Sequence, residues 1–272
     1  YPLADDDNII SNINFEKGDV LLRMNYFGLR DYRNNTNIPV PVIEDHSHSL
    51  FSNWAQNSNA DWCIASLRKT LPIPDGGIIW SPKKVVDIGL PKQNSQHELL
   101  SKKRMEAMKL KSSFLKNKPK IGKEIFLKKF KQTENSLEVN NISSISTVSR
   151  SIILNLPNNL DVCKQRNFDL MTSMIDQTEL SIIIGDSKEV PFSLILLFNL
   201  KEKRDKVRSY LINYKVYPVV LWRIDNEGAK YEISDFSDRM LSIPIDFRYS
   251  TKDIIEMSKI INSGIINSDY IC

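Results

Sequence analysis

Residues 40–44, VPVIE, and 60–80, ADWCIASLRKTLPIPDGGIIW, decide how the rest of this chain reads. The first is a short apolar run with Asp45 at its C-terminal end. Pro39 and Pro41 place their missing N–H groups at its start, where a strand tolerates them. The second holds two more apolar runs, Ala60–Ser66 and Gly77–Trp80, on either side of a loop that contains Lys69. Upstream, DVLLRMNYF at 19–27 is closed by Gly28 and reads as a buried strand followed by a turn. Short apolar strands separated by loops and helices predict an α/β layer.

Three features in this layer can carry chemistry. Asp45 stands at a strand's carboxyl end, where open α/β sheets gather ligands, although an Asp there serves equally well as a turn or helix cap. Lys69 follows a buried strand. Burial disfavours an ammonium group and leaves an amine able to attack an aldehyde; two solvated loop cations, Arg68 and Lys69, are the plainer alternative. Ser66 lies three residues before Lys69 and can hydrogen-bond a phosphate. The loop Pro72–Gly77, PIPDGG, combines stiffening prolines with glycines that permit close backbone approach.

Together the order and spacing resemble something specific. Glu44-Asp45 with His48 three residues after the Asp, then Ser66-Leu-Arg-Lys69, then Gly76-Gly77 and an apolar strand, resemble the cofactor segment of the fold-type I pyridoxal-phosphate enzymes. Within that class the resemblance is to the sugar aminotransferases of the DegT/DnrJ/EryC1/StrS family. It extends to YPLADDD at 1–7 and KGDVLLRMNYFG at 17–28. It continues in Arg204-Asp205 with VRSYLINYKVYPVVLW at 207–222, and in FSDRMLSIPIDFRY at 236–249.

The resemblance implies an α/β fold: part of a fold-type I large domain plus a small C-terminal α/β domain. It implies pyridoxal 5'-phosphate as cofactor, with Asp45 paired to the pyridinium nitrogen, His48 packed near the ring and Ser66 on the phosphate. Lys69 would carry the cofactor as a Schiff base and shuttle the proton. The implied reaction moves an amino group from an amino acid, glutamate by expectation, to a nucleotide-linked keto-sugar for surface polysaccharide or related amino-sugar synthesis. The family works as a homodimer. The loop here reads ASLRKTLPIPDGG where the family usually has Ser-Phe-His before the lysine, which marks a divergent subgroup. The chain also begins where the family is a third of the way through. The N-terminal helices, a glycine-containing phosphate loop and a ring-stacking aromatic are therefore expected upstream, and these residues alone are expected to transaminate poorly. The alternative is a non-catalytic, truncated homologue that serves as an interaction or structural protein.

Beyond residue 95 the pattern changes. Leu99, Leu100, Met105, Met108 and Leu115 recur at helical spacing and predict a long amphipathic helix, with a second short helix from Ile125 to Phe130. Between Lys102 and Lys131 stand twelve Lys or Arg and two acids, Glu106 and Glu124. Such a cluster can attract phosphates, but it lacks interleaved aromatics: Phe114, Phe126 and Phe130 read as core-facing, so nucleic acid is not an expected partner. Gln132–Ser149 reads as a polar connection. Helices near Val162–Gln177, Glu202–Tyr214 and Asp253–Ile266 alternate with strands at Val190–Phe198 and Val216–Trp222. The expected division is 1–95 for the partial large domain, 96–145 for a basic helical connection and 146–272 for the small domain.

Bulk properties narrow the classes. With 272 residues, 41% hydrophobic and 26% charged, the chain can bury a core and is not wholly disordered. No apolar run approaches the roughly 18 residues of a membrane span, and the acidic N-terminus is unlike a signal peptide. Cys63, Cys163 and Cys272 are odd in number and far apart, so neither a disulfide framework nor a metal knuckle is expected, and reduced thiols of a cytoplasmic protein are. With His46, His48 and His97 alone a His-rich metal site is not expected, although His46 and His48 sit close together.

Overall fold

The computed structural model describes residues 6–87, 89, 91–116, 122–137, 142–185, 191–221 and 231–267. After a short helix α1 (Asp6–Ser11), the first sheet is built from β1 (Leu21–Met24), β2 (Val42–Asp45), β3 (Trp62–Ser66) and β4 (Gly77–Trp80), side by side in that order. β1, β2 and β3 run parallel, and β4 returns antiparallel beside β3 with Cys63 opposite Trp80 and Ser66 opposite Gly77. The parallel strands therefore end along one edge, at Met24, Asp45 and Ser66. Two short helices fill the connections: α2 (Asn53–Asn57), capped by the Ser52 hydroxyl, and α3 (Leu67–Thr70). Lys69 lies on α3, so the expected loop is a helical turn.

This sheet is less buried than its apolar residues suggest. Leu22 is 60% exposed and Ile79 47%. Its inner face instead carries Arg23, Glu44 and Cys63 in one row across three strands, all buried.

Two long helices follow, α4 (Ser95–Leu115) and α5 (Lys123–Asn135), packed against each other as a hairpin. The expected long helix is present, but Leu99 and Leu115 are exposed, and Ser101 and Ala107 are its buried residues. Of the three phenylalanines only Phe126 is buried; Phe114 and Phe130 pack around its ring and stay half-exposed. Glu134 accepts from Arg104 (2.7 and 3.0 Å) and from Arg68 (3.4 Å), tying the hairpin to α3. The stretch read as a connection is partly helical: α5 runs to Asn135, and α6 (Thr147–Leu154) begins behind its Ser146 cap.

The second sheet is antiparallel, in the order β5 (Leu180–Ile183), β6 (Leu194–Phe198) and β7 (Met240–Ile243). Period-2 alternation sends Leu194, Leu196 and Phe198 of β6 toward three helices, α7 (Leu160–Met174), α8 (Lys201–Asn213) and α10 (Thr251–Asn267). There they meet Met171, Val207, Leu211, Ile254 and Ile261 in the largest core. Ile195 and Met240 face the other way, onto Phe27, Leu29 and Phe236, the last from α9 (Tyr231–Arg239). β6 is thus covered on both faces.

Two strand expectations are corrected. Val216–Leu221 forms a single bridge, Val219 with Ser242, because Pro218 has no N–H to continue a ladder; Trp222 lies outside the described residues. The strand expected from Val190 begins at Leu194, and Val190 too lies outside them. Among the described residues no helix is long and apolar enough to cross a membrane.

Candidate active site

The edge where β1, β2 and β3 end is organised by short side-chain bridges. Asp45, half-buried at the end of β2, accepts the Ser47 N–H (2.8 Å), and the Ser47 hydroxyl accepts the Ser66 N–H (2.9 Å). Ser66 precedes α3 and makes no side-chain capping bond. This folds the turn after β2 under the start of α3 and sets His48 beside Lys69.

His48 is buried. Its Nδ1 accepts the Phe27 N–H (3.2 Å), and its Nε2 stands 3.5 Å from Lys69 Nζ. Its ring stacks on Phe192 at 4.2 Å and 7° between planes. Burial pushes the imidazole's pKa down to about 3; the Lys69 charge adds to that, and Asp45 opposes it. His48 is therefore neutral at physiological pH. Since Nδ1 is an acceptor, the ring proton sits on Nε2, facing Lys69.

His48 and Lys69 line a cavity of about 370 Å³ between the two sheets, with Phe192, Lys164, Tyr217 and Asp246 among its other walls. Lys69 is exposed at this cavity rather than desolvated. The depressed amine is Lys164 of α7, pushed down to about 8 by burial against a partial pull from Asp246. Lys164 Nζ stands 5.5 Å from the Phe192 ring centre, and among the described residues it makes no ion pair. Asp246 is engaged by Arg248 (2.6 and 2.9 Å).

Of the four residues singled out in the sequence, the structure brings His48 and Lys69 together on the cavity wall. Asp45 and Ser66 share the same sheet edge but are not among the lining residues. Lys164 and Phe192 escaped sequence reading: the first is one of two cations on a mixed helix, and the second sits just before a strand.

A second polar cluster fixes the segment after Lys69. Asp75, buried, accepts from the Ser146 N–H (2.8 Å), from the Ser146 and Ser149 hydroxyls, and contacts His97 Nε2 (2.9 Å). Burial raises its carboxyl pKa, but these hydrogen bonds outweigh that and hold it below the usual carboxylate range. PIPDGG is thereby anchored to the start of α6 and to α4. Gly76, at φ +122°, lies so close to Ile145 that a Cβ there would sit 2.7 Å from its side chain.

No protein-family model and no curated protein matches this chain. Solved structures do. A DegT DnrJ EryC1 StrS aminotransferase from Brucella abortus is similar at 12% identity and a TM-score of 0.55, over 89% of this chain and 63% of that one. The PLP form of a putative sugar aminotransferase, Spr1654, from Streptococcus pneumoniae gives 12% and 0.59, over 97% and 72%. DesI, solved in the presence of its TDP-sugar product, gives 11% and 0.60, over 98% and 67%. The chain therefore has the fold of these aminotransferases over the part it spans, which is 63% of the first.

Proposed function

We propose that this chain is the cofactor-lysine and small-domain portion of a pyridoxal-phosphate-dependent aminotransferase of the sugar-modifying type. The observation that carries the reading is the Lys69 amine at a cavity wall, 3.5 Å from a histidine held neutral. A wall made of the flat, stacked His48 and Phe192 rings beside a lysine amine fits an aromatic aldehyde. Bound there, the cofactor would supply an electron sink for the amino-group carbon.

The chain's own residues have distinct tasks in this reading. Lys69 is the nucleophile and the group that moves the proton. His48, its ring held by the Phe27 N–H and by the Phe192 stack, positions a polar ring nitrogen 3.5 Å from Lys69 Nζ. Lys164 supplies a cation for an anionic substrate group. Asp45 toward the pyridinium nitrogen and Ser66 toward the phosphate belong to the same proposal, both set on the sheet edge beside the cavity wall. The likeness to DesI favours a nucleotide-linked keto-sugar as acceptor; glutamate as donor, a homodimer and a cytoplasmic setting belong to the same proposal. The division into 1–95, 96–145 and 146–272 also belongs to it, and is supported by the position of the α4–α5 hairpin between the two sheets in the sequence.

The test is to titrate the protein with pyridoxal phosphate, reduce with borohydride and map the modified peptide. Modification at Lys69, lost in Lys69→Ala, is the expected result. Saturating cofactor with no modification at Lys69 defeats the reading and leaves the non-catalytic homologue in its place.

A further inference from the structure

The row of buried groups on the first sheet contains donors of three kinds at one point. Glu44 and Cys63 are register partners on β2 and β3, and His46 follows β2 by one residue. Their exposures are 1%, 0% and 0%. Glu44 Oε2 stands 3.0 Å from His46 Nε2 and 3.9 Å from Cys63 Sγ, and one ligand atom from each of the three lies within 4.8 Å of the other two. The Ser58 hydroxyl completes a fourth corner, 2.6 Å from Glu44 Oε2 and 3.3 Å from Cys63 Sγ.

We propose that Glu44, His46 and Cys63, with the Ser58 hydroxyl, form a closed structural site for a zinc ion. The donor set of one imidazole nitrogen, one thiolate and one carboxylate oxygen suits zinc, whose bonds of roughly 2.0–2.3 Å set tetrahedral ligand atoms roughly 3.3–3.7 Å apart. Of the separations, Cys63–Ser58 at 3.3 Å already fits; Glu44–His46 at 3.0 Å and Glu44–Cys63 at 3.9 Å lie just outside that range, and Glu44–Ser58, a 2.6 Å hydrogen bond, has to open as the ion enters.

The surroundings are arranged as a metal site requires. Each ligand's remaining polar atom is held by another residue: Asn35 Nδ2 donates to Glu44 Oε1 (2.7 Å), and His46 Nδ1 pairs with Ser49 Oγ (3.2 Å). This leaves Oε2 and Nε2 turned toward Sγ. The imidazole plane is fixed by Trp80, stacked at 5.8 Å, and by Trp54, edge-on at 5.5 Å. The nearby Arg23 is already engaged by Asp7 and Asn35 and so does not neutralise the cluster. A divalent ion, one carboxylate and one thiolate sum to zero charge at this buried point, with the thiol proton released to solvent. The ion would clamp β2 to β3 directly behind the turn that carries His48, and it takes no part in the reaction proposed above.

Cobalt(II) reports on such a site through its colour. The full chain, stripped with chelator under reducing conditions and given one equivalent of Co²⁺, should retain the ion through desalting. It should show visible bands of tetrahedral cobalt and a near-ultraviolet thiolate-to-cobalt band, both displaced by Zn²⁺. Cys63→Ser should lose the thiolate band, whereas Cys163→Ser and Cys272→Ser should keep it. Failure of the folded wild-type protein to retain Co²⁺ or Zn²⁺ overturns the proposal without recourse to any variant. A thiolate band that survives in Cys63→Ser overturns it as well. Cofactor trapping at Lys69 is a separate readout, so the two readings fail independently.

Discussion

The two sheets solve the problem of a buried face in opposite ways. In the second, β6 is apolar on both sides, with Leu194, Leu196 and Phe198 against three helices and Ile195 against Phe27 and Phe236. In the first, the inner face carries Arg23, Glu44 and Cys63, while Leu22 and Ile79 stand exposed. Apolar burial is non-directional and scales with area, so it stabilises without dictating one arrangement. A buried polar row fixes positions through directional bonds, here from Arg23 to Asn35 and from Asn35 and Ser58 to Glu44, although Arg23 Nε has no partner among the described residues. The first sheet therefore positions the site, and the second holds the molecule together.

The sharpest way to break this contrast is a matched pair of truncations. Phe198→Ala in the second core should lower stability by about 3–5 kcal/mol, whereas Ile79→Ala on the first sheet should change it by less than about 0.5 kcal/mol. Equal losses in urea titrations would erase the distinction. Next in size is the polar anchor: Asp75→Ala should lower stability by about 3 kcal/mol, because the Ser146 N–H and both hydroxyls lose a charged acceptor. It should also weaken trapping at Lys69 by loosening PIPDGG; intact trapping would show that the anchor serves stability alone.

A third measurement uses pH. The folded value of His48, about 3, lies below the ordinary 6.5, so the unfolded chain takes up the proton first. Stability is fully present above pH 6.5 and falls as the pH drops toward 3, by up to about 1.4 kcal/mol per unit. In His48→Gln the slope between pH 6.5 and 4.5 should flatten; an unchanged slope would place the titrating group elsewhere. The smallest expected effect is at the Ser52 cap of α2, where Ser52→Ala should cost about 1 kcal/mol, read as a thermal shift.

Much of the first sheet was legible because its signals are local. Strand-length apolar runs end at Asp45 and Ser66, and Gly76-Gly77 punctuates the return to β4. The resemblance assigned His48 and Lys69 to one cofactor, but their contact was not read, since nothing in their 21-residue separation indicates it. Burial could not be read in the same way. Lys69 stands exposed, while Lys164, on a helix of unremarkable composition, is an amine that burial drives down. The Glu44–His46–Cys63 convergence depends on β2–β3 register, which no linear spacing reveals. β5 and β7 were missed because four-residue runs such as LSII and MLSI carry too short a period to separate strand from helix.

Phe27 ties the two sheets together through both of its backbone polar groups. The Phe27 N–H donates to His48, and its carbonyl accepts the Phe192 N–H at 2.7 Å, at a residue held in the left-handed region with φ 58°. In hydrogen exchange, neither amide can open without disturbing the same turn. The amides of Phe27 and Phe192, 165 positions apart in the chain, should therefore exchange with a common opening free energy, as members of one cooperative unit rather than of two separately fraying layers.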